Sequence, residues 1–331
     1  KLNFLNMTNL FSLMNQYQKI KDLGSGAFGT VILAKKGNDY YAIKSTNIAN
    51  ATRQECQDAF NEINNLKSIN NHHVVKVFHS FTENGNLYMV MEYINDGDLA
   101  KKIDQRSNVG FSEDEILYIF IQIVLAIKCV HEQNIIHRDI KPQNIFITRD
   151  NYVKIGDFNV SYKLANRREI TRELAGTNCY LSPEMLSGQG CNTQTDIFSL
   201  GCVLFELCTL TKAFKYNNPQ DYINAMNRRH YHRIPDRYSQ NLKNLINRML
   251  DPNPQTRITA NQILQLDFIR SRLEIPQRND QLNETIRHTT NPPPPPPPTT
   301  SEENNVFANA ISALGAITFI FWLSRRILGR R

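Results

Sequence analysis

The sequence predicts an α+β fold in two parts, strand-rich to about Tyr93 and helical beyond, followed by a polar linker and one uncharged apolar segment. Three observations carry this. Short β-rich runs follow a glycine cluster at 24–29 and recur at 40–44 and 74–78. Ser112 and Glu115 form a capping box ahead of the apolar run 116–130, which marks a helix start. A stretch without charge, 306–323, follows seven successive prolines. The 331 residues, 41% of them hydrophobic, suffice for both parts of one domain plus appendages.

The first part carries Gly24-Ser25-Gly26-Ala27-Phe28-Gly29-Thr30-Val31, between Leu23 and the apolar run 31–34. The spacing GxGxxG is weak evidence alone, because turns and dinucleotide-binding folds use it too. A dinucleotide fold needs a helix directly after the glycines and an acid on the ribose further along. Here a β-rich run follows, and then Tyr40-Tyr41-Ala42-Ile43-Lys44 as another short strand. The pattern predicts a hairpin whose tip folds over phosphates, with Lys44 reaching them from the next strand. Lys44 then needs a carboxylate to hold it, supplied from a helix. Residues 54–67 place Phe60, Ile63 and Leu66 on one helical stripe. Glu62, beside that stripe, is the candidate, and Glu55 in the first turn is the alternative.

Residues 137–144 read His-Arg-Asp-Ile-Lys-Pro-Gln-Asn. Asp139 can accept the proton of an attacking hydroxyl, Lys141 can neutralise charge on a moving phosphoryl group, and Asn144 can hold a magnesium ion. Asp157, in Gly156-Asp157-Phe158-Asn159, supplies a second metal ligand downstream.

With these motifs the chain resembles eukaryotic Ser/Thr protein kinases, and among them the NIMA-related family. The likeness runs from about Tyr17 to Leu273 and includes residues 83–93, 97–99, 137–146, 181–184 and 196–210. It implies a bilobal protein-kinase fold over 17–272, with a β-rich small lobe and a helical large lobe. It also implies ATP and Mg2+ as cofactors and Ser or Thr hydroxyls of proteins as acceptors. Lys141 marks the Ser/Thr type. The resemblance makes Leu23, Gly24, Ser25, Gly26, Ala27, Phe28, Gly29, Thr30 and Val31 the nucleotide-covering loop. Met91 becomes the gatekeeper behind the adenine, with hinge backbone groups from Glu92 to Ile94. Glu184 is expected to pair with Arg257, Asp196 to anchor the catalytic loop, and Thr177 to touch Asp139 and Lys141.

The chain departs from the family at Asn159, where kinases carry Gly. Asn is the residue best tolerated after Gly at positive φ, so the change reads as a stiffened hinge with the metal ligand intact. In the family the activating Ser or Thr lies three residues before the Gly of a Gly-Thr pair. Counting back from Gly176 gives Glu173, already an acid, with Thr171 as an alternative phosphosite. A pseudokinase scaffold is the second function class, resting on Asn159 and on Asn178-Cys179. The complete set Lys44, Glu62, Asp139, Lys141, Asn144 and Asp157 favours the enzyme.

Composition excludes other classes. Net charge is +7, but Arg325, Arg326, Arg330 and Arg331 supply four of it, which leaves no nucleic-acid footprint. The six cysteines show no CxxC and no secreted spacing, so they read as reduced cytosolic thiols. The eight histidines form no zinc pattern, and His72-His73 reads as a turn. Residues 1–16 are an N-terminal extension without a convincing signal peptide; the chain begins at Lys1, and Met7 or Met14 could initiate it.

Residues 273–305 read as a polar and proline-rich linker. Its prolines 292–298 form an extended spacer of about 22 Å, or a ligand for an SH3- or profilin-like partner. Residues 306–323 carry no charge and span roughly 27 Å as a helix, near the minimum for hydrocarbon. They read as a transmembrane tail anchor with a basic tail at 324–331, leaving the catalytic domain in the cytosol. Modest hydrophobicity and the basic end favour the mitochondrial outer membrane over the endoplasmic reticulum. Ala308, Ser312 and Ala316 give a weak helix-pairing stripe.

Overall fold

The computed structural model describes residues 12–26, 29–107, 109–148, 151–166, 169–171, 178–214 and 219–273. They fold as two compact units, one drawn from 12–60 and 77–93, the other from 61–76 and 94–273.

The first unit is the expected strand-rich part. Strands β1 (Gln18–Gly26), β2 (Gly29–Lys36), β3 (Asp39–Asn47), β4 (Val77–Glu83) and β5 (Asn86–Glu92) form one antiparallel sheet in the order β1-β2-β3-β5-β4. β-Branched and aromatic residues such as Val31, Ile32, Tyr40 and Tyr41 suit a pleated, half-buried surface. Ala34, Ile43, Val90 and Phe81 pack with Tyr17 into a small core. Tyr17 is fixed there by its hydroxyl, 2.9 Å from His79 Nε2, and by an edge-on contact with Tyr41 at 5.6 Å.

Helix α1 (Arg53–Ser68) covers the predicted 54–67. Ile63 and Leu66 are buried on the expected stripe, whereas Phe60 is half-buried. The strand expected over 74–78 begins only at Val77. His72 and His73 do form a turn, but Val74 and Val75 then pair elsewhere: Val75 donates to the Ile155 carbonyl at 2.9 Å, and Ile155 donates to His73 at 2.8 Å. The His73 ring stacks on Tyr152 and sits 3.0 Å from the Val153 carbonyl, a structural role.

The second unit is helical, as expected. Its elements are α2 (Leu99–Gln105), α3 (Glu113–Glu132), short strands β6 (Ile135–Ile136), β7 (Ile145–Ile147), β8 (Val153–Ile155) and β9 (Tyr162–Lys163), then α4 (Pro183–Leu186), α5 (Thr193–Thr209), α6 (Pro219–Asn227), α7 (Gln240–Met249), α8 (Ala260–Leu264) and α9 (Asp267–Arg270). The capping box at Ser112 and Glu115 is formed, with both reciprocal bonds present. α3 and α5 are apolar around most of their circumference and form the core, as helices hydrophobic on all faces must. β7 pairs with β8 and β6 with β9, so the segments that carry the functional motifs hang from two tiny antiparallel ladders. No described helix is long and apolar enough to cross a membrane. Residues 306–323, the expected span, lie outside the described residues.

One glycine of the first hairpin is required by the fold. Gly29 holds φ +122°, and a Cβ there would lie 2.2 Å from the Ser45 carbonyl oxygen of β3. Gly24 and Gly26 have nothing within 4 Å of an added Cβ. Gly29→Ala is therefore expected to cost about 2–3 kcal/mol of stability, and Gly26→Ala about 0.5 kcal/mol or less. Urea unfolding of the two variants checks this; equal losses would show that the Gly29 backbone yields freely.

Candidate active site

The site is built on one buried carboxylate. Asp196 lies in the first turn of α5 and is fully buried. Its Oδ2 accepts the backbone N–H of His137 at 2.9 Å, its Oδ1 that of Arg138 at 2.8 Å, and His131 Nε2 stands 2.8 Å away. Burial pushes this carboxyl upward, but the His131 hydrogen bond and the charge and backbone bonding of the histidines outweigh it and hold it below the usual range. The positive end of α5 acts in the same direction. Arg138 takes φ +66°, a left-handed conformation that a non-glycine residue holds only when its surroundings dictate it. The two bonds to Asp196 do so.

The chain just beyond carries the predicted catalytic residues. Lys141 Nζ lies 2.6 Å from Asp139 Oδ2, and Asn144 Nδ2 donates to the Asp139 carboxylate and main-chain oxygen, each at 2.9 Å. Asn144 is itself placed by Gly156, whose N–H donates to the Asn144 carbonyl at 3.0 Å. That bond brings the segment of Asp157 beside the segment of Asn144. His137 ties the same two segments: its Nε2 is 3.0 Å from the Gly156 carbonyl, and its ring lies 4.5 Å from that of buried Phe158. Gly156 has no room for a side chain, since a Cβ would meet Phe146 and Val75 at 2.9 Å.

The expectation for Asn159 needs correction. Asn159 holds no positive φ; the left-handed residue in this loop is Asp157, at φ +61°. The Asn159 side-chain amide instead donates to Asp157 Oδ1. Nearby, Asn65 of α1 donates to Ser161 Oγ at 2.9 Å.

The donor set fits a hard cation. Asn144 spends its amide N–H groups on Asp139, so its carbonyl oxygen is the atom that could ligate a metal, and Asp157 could offer carboxylate oxygens. Among the described residues no three or more His, Cys, Asp or Glu are grouped so as to hold a metal ion by themselves. An ion held here would take its remaining ligands from water and phosphate oxygens, the habit of Mg2+.

The first unit carries the other predicted residues, apart from Glu62 and Ile94. Leu23, Gly24, Ser25 and Gly26 lie on exposed β1, and Gly29, Thr30 and Val31 start β2. Gly26 pairs with Gly29 across the hairpin end. Ala27 and Phe28 lie outside the described residues. Lys44 is buried at mid-β3, opposite Met89. Met91 and Glu92 end β5 and Ile94 follows it, all half-buried.

Of the two acids proposed on α1, Glu62 is buried. Glu55 is exposed and occupied: its carboxylate accepts the Thr52 N–H at 2.7 Å and the Thr52 hydroxyl at 2.8 Å, bonds that hold it below its ordinary range. Glu55 is thus a helix cap.

The downstream segment is mixed. Glu173, Gly176 and Thr177 lie outside the described residues, and of Asn178 only the backbone is described. Thr171 is buried and exchanges two backbone bonds with Cys191, at 3.1 and 2.7 Å, so its hydroxyl is poorly placed as a phosphosite in this conformation. Arg138 donates to the Val160 carbonyl and lies over the Tyr162 ring. Arg257 grips Glu184 as expected, with Nη1 and Nη2 2.7 and 2.9 Å from the two carboxylate oxygens and both side chains buried. Sequence reasoning missed His131, Phe158 and the Asn159 bond. His131 stands 65 residues from Asp196, a separation that no local pattern reports.

A family model described as "Protein kinase domain" matches residues 17–269. Serine/threonine-protein kinase Nek1 of Mus musculus is 39% identical over 263 residues, 79% of this chain and 22% of that protein. Serine/threonine-protein kinase Nek5 of Homo sapiens is 41% identical over 259 residues, 77% of this chain and 37% of that protein. The probable serine/threonine-protein kinase nek3 of Dictyostelium discoideum is 38% identical over 288 residues, 84% and 26% respectively. The chain thus spans well under half the length of these relatives.

The grip of Asp196 predicts a pH signature. A carboxyl held below its ordinary range stabilises the fold fully above the ordinary Asp value of about 3.9, and that stabilisation is lost as pH falls through the lower native value. Asp196→Asn is expected to cost about 3 kcal/mol at pH 7. The gap to wild type should narrow as pH drops below about 4. Denaturant midpoints at several pH values measure it, and a gap independent of pH would contradict the charged state of Asp196.

Proposed function

This chain belongs to the protein kinase family, and on that premise we propose that it transfers the γ-phosphoryl of ATP to Ser or Thr hydroxyls of protein substrates. The observation that carries the reading is the Asp139 carboxylate, held by Lys141 at 2.6 Å and Asn144 at 2.9 Å on a loop clamped by Asp196. A carboxylate fixed in this way can take the proton of an incoming hydroxyl as the oxygen attacks. Lys141 stands beside the oxygen that would receive that proton, where it can offset charge on the moving phosphoryl group. Asn144 and Asp157 would hold Mg2+, which when bound neutralises charge on the phosphate oxygens. Leu23 through Val31 would cover the nucleotide, Lys44 would contact its phosphates and Glu62 of α1 would hold Lys44. Met91, Glu92 and Ile94 would line the adenine side. The catalytic domain would occupy 17–272.

The same proposal gives the rest of the chain a tethering role. Residues 306–323 carry no charge and are long enough for a minimal span of about 27 Å. Arg325, Arg326, Arg330 and Arg331 make a basic flank, which supports the mitochondrial outer membrane over the endoplasmic reticulum, and the kinase would face the cytosol as tail-anchored domains do. Residues 273–305 would act as spacer, and prolines 292–298 could also engage an SH3- or profilin-like partner.

Two experiments test these readings. In a labelled-phosphate assay with the full chain, ATP, Mg2+ and a generic protein acceptor, Asp139→Asn should lower transfer at least about 100-fold. A folded wild-type chain that transfers no more than the Asp139→Asn variant would refute the enzyme reading. Deletion of 306–331 should move the protein from the carbonate-resistant membrane fraction to the soluble one; resistance that survives the deletion would refute the tether.

A further inference from the structure

We propose that Asn159 is a positioning residue for Asp157, its side-chain amide fixing the carboxylate in the orientation that receives a divalent cation. The inference rests on the reading of Asp157 as a cation ligand. Its observation is the hydrogen bond from Asn159 Nδ2 to Asp157 Oδ1. An ionised carboxylate has about four acceptor positions on its two oxygens. The amide takes one, on Oδ1, and among the described residues Oδ2 and the second position on Oδ1 stay open to a cation.

The backbone does not explain the residue. Asn159 does not hold positive φ, so no glycine-like conformation is required there. The demanding position is Asp157, with φ +61° and Gly156 wedged against Phe146 and Val75 just before it. That backbone fixes where Asp157 begins but not how its carboxylate turns. A partner two residues along can set that rotation, and it does so from the same loop, so the bond travels with the loop. Glycine has no atom to supply it.

The sign follows from two opposed effects. The amide draws some charge from Oδ1, which weakens attraction to a cation. It also removes the rotational freedom that the carboxylate would otherwise lose on binding. A neutral N–H donor only polarises the group and leaves it ionised, so the second effect should dominate, as it does where outer-shell partners of metal ligands are removed and affinity falls 10–100-fold. A bond made within one loop belongs at the lower end of that range. The expected contribution is about tenfold.

The test uses the full-length protein with Mn2+ as the probe, the free ion being read by its paramagnetic resonance signal in the presence of β,γ-imido-ATP. Asn159→Ala and Asn159→Gly should both weaken Mn2+ by about tenfold, while analogue binding in EDTA and the melting temperature stay at wild-type values. Two variants are needed because alanine removes only the amide, whereas glycine also frees the backbone. Alanine behaving as wild type, whatever glycine does, would overturn the proposal. The Asp157→Ala control separates the layers. If it weakens Mn2+ strongly while Asn159→Ala does not, only the positioning role falls; if it leaves Mn2+ unchanged, Asp157 is no ligand and both readings fall.

Discussion

The carboxylate of Asp196 organises the functional face of the helical unit. Two backbone N–H groups and one imidazole converge on it. Buried donors left without acceptors are costly, so the bonds to His137 and Arg138 hold the loop in a conformation that Arg138 would otherwise avoid. From there the order is inherited. Asp139, Lys141 and Asn144 follow the clamped residues within a few positions, and Asn144 passes the constraint to Gly156 and hence to Asp157.

His137 joins this frame at a second point. Its N–H is bound to Asp196, while its ring contacts the Gly156 carbonyl and the face of Phe158. One residue thus locks the loop that supplies the candidate base to the loop that supplies the candidate metal ligand. Each of the candidate side chains is short or ends in a fixed network, so their mutual geometry is set by backbone placement. That is the arrangement phosphoryl transfer favours, since positioning and electrostatics account for most of its catalysis.

Much of this was legible because the chemistry is local in sequence. Asp139, Lys141 and Asn144 fall within six residues, and the capping box at Ser112 and Glu115 within four. The strand-rich and helical parts followed from period and turn chemistry. What escaped notice depends on contacts that sequence spacing does not encode. His131 reaches Asp196 across 65 positions, and Val74 and Val75 leave their expected strand for Ile155. Asn159 was misread for a different reason. Its residue type suggested a left-handed backbone, yet its amide bonds Asp157, and the left-handed conformation falls on Asp157 itself. Among the three loop glycines, only Gly29 meets a close backbone neighbour, a distinction that composition cannot draw.

If the Asp196 clamp is the constraint from which the site takes its shape, the amides of His137 and Arg138 should be among the most protected in the chain. Native-state hydrogen exchange, resolved to single residues, measures this directly. The account predicts that both amides exchange only through global unfolding, as slowly as those in the middle of α3 and α5. Exchange of these two amides at rates typical of surface loops, while α3 and α5 stay protected, would contradict it.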